Sequence, residues 1–293
     1  MTGFFNVYKE AGYTSHDVVA IVRKLTGVKV GHTGTLDPQA EGVLPICLGR
    51  ATKLADMITG QDKSYVAEVM LGVTTDTGDM TGEVLSRMPA TFDEDAIYEV
   101  VDKFRGPQMQ VPPMYSALKV GGKKLYELAR KGQVVERKPR AIDIKEIRVV
   151  EFRAADNCFT IDVTCSKGTY IRSLCMDIGE ALGTVAAMGS LLRTRTGDFN
   201  LDTAVKITQI REAASDGGLA GFLLPVEDVL PFPRAYVSPE GITMAKNGNA
   251  LPLELVEMPS GYEGKVWLHG PEGLIGLFTV DNTAARLRLE VMM

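Results

Sequence analysis

The segment Gly31-His32-Thr33-Gly34-Thr35-Leu36-Asp37-Pro38, which continues through Gly42 to Leu44-Pro45-Ile46, is the most informative stretch of this sequence. Residues 31–38 place one carboxylate and one imidazole with two glycines and a proline, and a third glycine, Gly42, follows. Glycine adopts backbone conformations that other residues avoid, and a proline pushes the preceding residue, here Asp37, out of the helical region. The pattern predicts a shaped loop with an acid at its tip. An ordinary turn explains the composition equally well, because Asp-Pro and Gly-His neighbours are common in turns.

The bulk composition is that of a globular protein that uses no metal or nucleotide cofactor. The 293 residues are 45% hydrophobic and 24% charged, and this length suits two domains. No apolar run is long enough to cross a bilayer, and the N-terminus lacks the pattern of a secretory signal, so we expect a cytoplasmic protein without membrane association. The four cysteines and three histidines have no zinc-site spacing, and the glycine motifs that bind phosphates or dinucleotides are absent.

Positive charge is concentrated in one segment of an acidic chain. The formal net charge is −5, yet residues 119–140, called the basic segment below, contain eight basic and two acidic residues. This segment therefore carries +6 and the rest of the chain −11. A concentrated positive surface favours an anionic polymer as partner, and the alternative is a solvated charged face.

Hydrophobic periodicity and turn residues predict an α+β protein with a second, β-rich region near the C-terminus. A boundary is predicted near Pro231-Phe232-Pro233, after which strand-like runs predominate. The predicted helices cover residues 15–26, 52–58, a stretch opened by a Thr91/Glu94 capping box, a short turn around Leu125, and 170–182; the predicted strands cover 65–71, 142–152, 159–165 and 189–199, and residues 106–115 are predicted to be an extended connector.

Several motifs in order resemble the TruB-type tRNA pseudouridine synthases, in their bacterial stand-alone form. The resemblance covers nearly the whole chain; residues 31–45 look like the catalytic loop of this family, and the match is also strong over residues 111–119. Its other matching segments are Ala51-Thr52-Lys53, Asp62-Lys63-Ser64-Tyr65, Leu71-Gly72, Thr75-Asp76-Thr77, Val111-Pro112-Pro113-Met114-Tyr115-Ser116-Ala117-Leu118-Lys119, residues 122–132, Cys165-Ser166-Lys167-Gly168-Thr169-Tyr170-Ile171-Arg172-Ser173-Leu174, and Lys246-Asn247-Gly248-Asn249.

This resemblance implies a fold, a domain plan and a reaction. A catalytic domain over residues 1–230, built on a mixed, mainly antiparallel sheet flanked by helices, would carry a basic RNA-binding insertion at about 106–140. A small β-rich PUA-like domain would follow over residues 232–293, although its five basic and seven acidic residues are unusual for an RNA-binding face. The implied activity is a cofactor-free isomerase that converts uridine-55 in the TΨC loop of tRNA to pseudouridine after flipping the base out.

The resemblance also implies roles for particular residues. Asp37 would be the nucleophile, Arg172 its ion-pair partner, and Tyr170 the residue near C5 of the base. A spacing of two puts Tyr170 and Arg172 on one face only in an extended segment, so the helix is expected to begin after Arg172. The implied substrate contacts are Tyr65 (stacking on the base), Leu192 (apolar wall), His32 (stacking on RNA), Lys53 (phosphate or loop support), and Lys123, Lys124, Arg130 and Lys131 (tRNA backbone).

Two other functions fit the same residues. One is the catalytic subunit of a guide-RNA-dependent ribonucleoprotein, against which the intact basic insertion argues. The other is a tRNA-folding chaperone that benefits the cell by binding and opening tRNA. The interpretation we favour is a monomer that binds the T-arm and elbow of tRNA without an obligatory protein partner; contact with the acceptor stem is left open.

Overall fold

The main body of the protein is one large mixed sheet with helices packed on it. The computed structural model describes residues 1–90 and 93–293. Strand order in the ten-stranded sheet is β14-β1-β3-β12-β4-β11-β10-β7, with β2 added beside β3 and β13 beside β12. These strands, with two small hairpins, are β1 (Gly3–Lys9), β2 (Val30–His32), β3 (Glu41–Leu48), β4 (Lys63–Leu71), β5 (Val73–Thr75), β6 (Val84–Arg87), β7 (Gly106–Gln110), β8 (Lys119–Val120), β9 (Lys123–Lys124), β10 (Arg140–Arg153), β11 (Cys158–Cys165), β12 (Ala186–Thr196), β13 (Phe199–Asn200) and β14 (Val205–Lys206).

Helices pack on the large sheet, and the apolar faces of four of them (Ser15–Thr26, Glu94–Asp102, Ile171–Ala181 and Ile207–Ser215) share one core with it. Most strand pairs are antiparallel; the β1–β14 and β3–β12 pairs are parallel. This confirms the predicted mixed, mainly antiparallel α+β fold. The helices of this part are α1 (Ser15–Thr26), α2 (Ala55–Thr59), α3 (Glu94–Asp102), α4 (Leu125–Ala129), α5 (Ile171–Ala181), α6 (Ile207–Ser215) and α7 (Val226–Val229), with short 3-10 helices at Gly49–Leu54, Ala154–Asp156, Leu201–Thr203 and Leu219–Phe222.

The chain from residue 234 onward builds a separate six-stranded sheet in the order β16-β20-β19-β18-β15-β17. The predicted β-rich character of this region is therefore confirmed. Among the described residues, no helix is long and apolar enough to cross a lipid bilayer. The elements here are β15 (Arg234–Val237), α8 (Ile242–Lys246), β16 (Leu251–Pro252), β17 (Val256–Glu257), β18 (Lys265–Gly270), β19 (Gly273–Asp281) and β20 (Arg286–Met292), with 3-10 helices at Pro239–Gly241 and Leu253–Leu255.

Two local predictions differ from the structure, and a third involves a residue outside those described. The capping box assigned to Thr91 lies outside the described residues; Asp93 caps α3, because its carboxylate accepts hydrogen bonds from the Asp95 and Ala96 amides. The predicted connector 106–115 is wrong in its first half, which forms edge strand β7; a proline is tolerated at an edge because one side needs no donor. The predicted helix 52–58 is a 3-10 turn that runs into the short α2.

The two sheets are joined by an apolar core. Alternate residues of β1 and β3 face opposite ways, and those on the side away from α1 pack against the second sheet. Trp267 of β18 is fully buried in this cluster, and its indole N–H donates to the carbonyl of Leu230 at 2.7 Å. Phe232 lies beside it, with ring centroids 6.2 Å apart. The second sheet is therefore packed as part of the body of the protein.

Replacing Trp267 with Ala is expected to destabilise the whole chain by about 3–5 kcal/mol, because it removes a large side chain from a closed core and strands the Leu230 carbonyl. Urea denaturation followed by circular dichroism measures the loss. Tyr236→Ala in the neighbouring strand is the control, because the Tyr236 side chain is half exposed. Equal effects of the two variants would contradict the joint core.

Candidate active site

The loop that carries Asp37, residues 33–40 between β2 and β3, is held by buried groups on both sides. Ser15 at the start of α1 accepts a hydrogen bond from the Leu36 amide at 2.9 Å and donates to the Leu36 carbonyl at 3.2 Å. The Lys9 ammonium, fully buried, donates to the carbonyls of Pro38 (3.0 Å) and Ala40 (2.6 Å). This Asp37 loop is therefore a fixed structure, and the simple surface turn is excluded.

Asp37 forms an ion pair with Arg172. The Arg172 Nε–Asp37 Oδ2 distance is 3.0 Å, and Nη2 lies 3.3 Å from Oδ1, so the contact is bidentate. The Arg172 side chain is 5% exposed, whereas the Asp37 side chain is 38% exposed. The guanidinium also donates to the carbonyls of Thr77 (2.9 Å) and Tyr115 (2.7 Å). A buried, fully bonded arginine thus presents a carboxylate to an accessible space.

The charge state of Asp37 depends on opposing effects. Burial is the largest of them and raises the pKa of the carboxyl above its ordinary value. Arg172 and Lys9 act against this shift, while the carboxylate of Asp79 adds to it. Arg172 Nε lies 3.8 Å from Asp79 Oδ2, so one guanidinium serves two acids. Asp37 is an acid whose ionisation depends on its neighbours.

A cavity of about 270 Å³ opens in front of Asp37. Tyr65 from β4 and Tyr170 from the start of α5 line it, together with Arg172. Tyr65 is 9% exposed. Burial raises the pKa of both tyrosine hydroxyls, so they stay protonated at neutral pH. The structure thus brings together the four residues that the resemblance implies for catalysis and stacking.

The predicted start of α5 after Arg172 is wrong. The helix begins at Ile171, and Tyr170 is its N-cap residue with extended backbone angles (φ −101°, ψ 111°). The Gln110 side chain holds this cap, because it accepts from the Tyr170 amide at 2.8 Å and donates to its carbonyl at 3.1 Å. The non-helical cap turns Tyr170 toward the cavity while Arg172 enters it from the first helical turn.

The apolar wall assigned to Leu192 belongs to its neighbour Leu191. Leu191 lines the cavity and Leu192 does not. Side chains alternate between the faces of a strand, so a shift of one residue exchanges the two sides of the sheet. A register shift in β12 between Met188 and Leu191, relative to β4, sets this phase, and the local sequence does not reveal it.

The other predicted substrate contacts lie outside the cavity lining. His32 ends β2, its ring centroid lies 5.8 Å from that of His16, and burial lowers its pKa. Lys53 is exposed on the 3-10 turn after β3. In the basic segment, Lys123, Arg130 and Lys131 are exposed and Lys124 is partly so. Among the residues that the structure describes, no salt bridge involves a cation of the basic segment, although Lys124, Arg130 and Arg137 contact neighbouring groups.

The basic segment is connected to the cavity through the backbone. It forms the β8–β9 hairpin and α4, and α4 confirms the short helix predicted around Leu125. The Tyr126 amide donates to the carbonyl of Ser116, and Ser116 and Ala117 line the cavity. Lys124 and Arg130 both lie over the Tyr126 ring, at 5.4 and 5.5 Å from its centroid. Charge is therefore presented next to the cavity mouth.

Sequence reasoning missed four residues of this site: Lys9, Lys63, Asp79 and Arg193. Lys63 is 6% exposed, and its ammonium donates to the carbonyls of Thr59 and Gln61; burial lowers its pKa to about 8. Lys63 shares the inward phase of β4 with Tyr65, and Arg193 shares that of β12 with Leu191. For Lys9, Lys63 and Arg193, the sequence signal of a site residue was a cation at a strand position that faces the core.

The fold matches solved structures over nearly its whole length. A crystal structure of a Cbf5–Nop10–Gar1 complex contains a chain that is 26% identical, with a TM-score of 0.72, covering 99% of this chain and 84% of that one. An archaeal box H/ACA Nop10–Cbf5 structure gives a TM-score of 0.72 at 24% identity, covering 99% and 85%. These two solved structures therefore share the fold of this chain.

The sequence comparisons identify the family. The N-terminal domain of TruB family pseudouridylate synthases matches residues 22–171, and the C-terminal domain of tRNA pseudouridylate synthase B matches residues 172–231. The tRNA pseudouridine synthase B of Alkaliphilus oremlandii is 45% identical over 274 residues, 92% of this chain and 90% of that protein. The Bacillus subtilis protein of the same name is 43% identical over 89% and 87%. The chain belongs to the TruB family, which confirms the resemblance.

Proposed function

We propose that this chain isomerises uridine-55 in the TΨC loop of tRNA to pseudouridine, with Asp37 as the nucleophile. The observation that carries the proposal is the Asp37–Arg172 ion pair at a cavity lined by two tyrosines. Relatives that are 43–45% identical to this chain over most of its length are named tRNA pseudouridine synthase B, which supports tRNA as the substrate.

The target base has to leave the folded tRNA loop before it reaches Asp37. Flipping a base out of its stack costs a few kcal/mol. Tyr65 supports this step, because a base that stacks on an aromatic ring recovers about 1–3 kcal/mol. Leu191 supplies apolar contact from the adjacent strand. In this proposal His32 stacks on the RNA where the base has left, and Lys53 contacts a phosphate.

The chemistry needs an ionised acid and a later proton transfer. Asp37 attacks either the sugar C1′ or the uracil ring, the bond between C1′ and N1 breaks, and the base takes up the bonding electrons. The base then rotates and its C5 bonds to C1′, while the bond to Asp37 breaks and returns the carboxylate. The C5 proton then passes to water, and N1 takes up a proton from water. Arg172 keeps Asp37 available as a carboxylate. In this proposal Tyr170 lies beside the reacting base, and its protonated hydroxyl relays the C5 proton by passing its own proton to water as it takes up the one from C5.

We propose that the basic segment supplies most of the affinity for tRNA. Its cations contact the phosphate backbone, which orients the substrate without reading its sequence. The shape of the T-arm then selects the substrate. Residues 232–293 act as a PUA-like RNA-contacting domain in this proposal, with a weak electrostatic contribution because they carry a net charge of −2.

Replacing Lys123, Lys124, Arg130 and Lys131 together with Ala is expected to weaken tRNA binding and to flatten its salt dependence, because fewer counterions are released. Filter binding between low and moderate salt measures both quantities. A matched variant with Arg23, Lys24, Lys29 and Arg211 changed to Ala removes four exposed cations elsewhere. An unchanged salt slope in the first variant would show that the basic segment faces solvent in the complex.

The proposed function is tested on a tRNA transcript labelled with tritium at C5 of uridine, with no other protein or RNA present. Wild-type protein is expected to release one equivalent of tritium, and a transcript with cytidine at position 55 is expected to release none. Release that requires an added guide RNA would favour the guide-dependent subunit. Tight binding that unfolds tRNA without any release would favour the chaperone. Sedimentation of the active protein tests whether it acts as a monomer.

A further inference from the structure

A second arginine lines the cavity, and the proposed chemistry leaves it without a role. Arg193 of β12 is 1% exposed, and it is among the largest fully buried side chains of the protein. Arginine at such a position is costly unless its donors are satisfied. The partners of this guanidinium therefore indicate what it is for.

Three of those partners are backbone carbonyls at the two ends of the Asp37 loop. Arg193 Nε donates to Val43 at 2.7 Å, Nη2 to Gly34 at 3.1 Å, and Nη1 to Thr35 at 3.5 Å. Gly34 and Thr35 precede Asp37 by three and two residues, and Val43 lies in β3 beyond it. One planar group thus connects the entry and the exit of the loop that carries the nucleophile.

The backbone of Arg193 is also in close contact with this region. Gly42, with φ +106°, pairs with Arg193 across the parallel β3–β12 contact. A Cβ atom at Gly42 would lie 2.2 Å from the Arg193 carbonyl oxygen. No other residue type fits there without moving one strand, so the strand that holds Arg193 and the exit of the loop are locked together.

The remaining partner is the aromatic ring proposed to support the base. Arg193 and Tyr65 are opposite each other in the β12–β4 register, and both line the cavity. Within the described part of the chain, no carboxylate forms a salt bridge with Arg193, so its hydrogen-bond acceptors are the three carbonyls, and the Tyr65 hydroxyl is an electrostatic neighbour. Lysine presents three donors from one point and cannot reproduce this planar set.

We propose that Arg193 is a positioning residue that fixes the Asp37 loop relative to Tyr65, so that the nucleophile and the stacked base meet at the correct distance. The role differs from that of Arg172, which pairs with the carboxylate itself. It rests on the proposed isomerisation, because the distance that Arg193 sets matters for a base held on Tyr65. Misplacement of reacting groups by about 1 Å can cost about 10²-fold in rate.

The test compares Arg193→Lys and Arg193→Gln with Arg195→Lys and Arg195→Gln. Arg195 lies on the same strand two residues away, bonds to Ser64 and Gly197, and does not line the cavity. Single-turnover tritium release is expected to fall about 10²-fold in both Arg193 variants, with unchanged tRNA affinity, and to change little in the Arg195 variants. Adding Tyr65→Phe to Arg193→Lys is expected to cost less than the product of the two single losses.

A second readout does not depend on activity. Amide hydrogen exchange of residues 33–42 is expected to be faster in the Arg193 variants than in the Arg195 variants. Exchange in α5 and the melting temperature are expected to be the same in the two sets of variants. Unchanged exchange in the loop, or rate losses equal to those of the controls, would overturn the inference. If wild-type protein released no tritium, the proposed function would fail, and the exchange data would still decide whether Arg193 fixes the loop.

Discussion

Asp37→Asn is expected to abolish tritium release from tRNA while tRNA binding persists. The amide has the shape of the carboxylate and still accepts a hydrogen bond from Arg172. The Asp37 loop keeps its structure because Ser15 and Lys9 hold its backbone, and neither contact involves the Asp37 side chain. What it lacks is the negative charge and nucleophilicity that the reaction requires. Single-turnover release and filter binding, measured on the same preparation, separate these two effects.

The control for this variant is Asp56→Asn, which changes an exposed carboxylate on α2. Its activity is expected to equal that of the wild type. Loss of tRNA binding in Asp37→Asn would assign a structural role to the loop, and residual release at the wild-type rate would place the nucleophile on another residue.

Arg172→Gln is expected to lower the maximal rate by about 10²–10³-fold and to move the acid limb of the pH–rate profile to higher pH. The ionised form of Asp37 is the active form, so activity falls as the pH drops through its pKa. Burial already raises that pKa, and Arg172 opposes the rise. Without the guanidinium the opposing effect is lost, and a larger fraction of Asp37 is protonated at any given pH.

Asp79, the acid next to Asp37, supplies a control in which the acid limb of the pH–rate profile is expected to shift in the opposite direction. Asp79 accepts hydrogen bonds from the hydroxyls of Thr77 (2.9 Å) and Thr81 (2.5 Å), and its charge raises the pKa of Asp37. Asp79→Asn is therefore expected to move the acid limb to lower pH. Single-turnover rates between mildly acidic and neutral pH measure both shifts. Two shifts in the same direction would contradict this electrostatic account.

Most secondary structure could be predicted because local patterns and tertiary packing agree. The α1 stripe of Val18, Val19 and Val22 is buried, and its capping box at Thr14 is present. The strands predicted at 142–152 and 159–165 pair antiparallel as β10 and β11. The predictions were wrong where the boundary of a helix depends on residues that are distant in the sequence. The N-cap position of Tyr170, for example, is held by Gln110, sixty residues away.

The candidate site, too, could be predicted only in part. Its main residues were predicted, because an acid before a proline in a glycine-rich loop is a strong local signal and the motifs around it resemble one family. The sequence by itself therefore determined the fold class, the family and the likeness of Asp37, Tyr65, Tyr170 and Arg172 to a catalytic set. Only the tertiary structure decided that Leu191 rather than Leu192 faces the cavity, and that buried Lys9 and Arg193 hold the Asp37 loop. The physical reason is that strand phase depends on register, and that the partners of a buried charge are carbonyls brought together by folding; no local pattern encodes either of these.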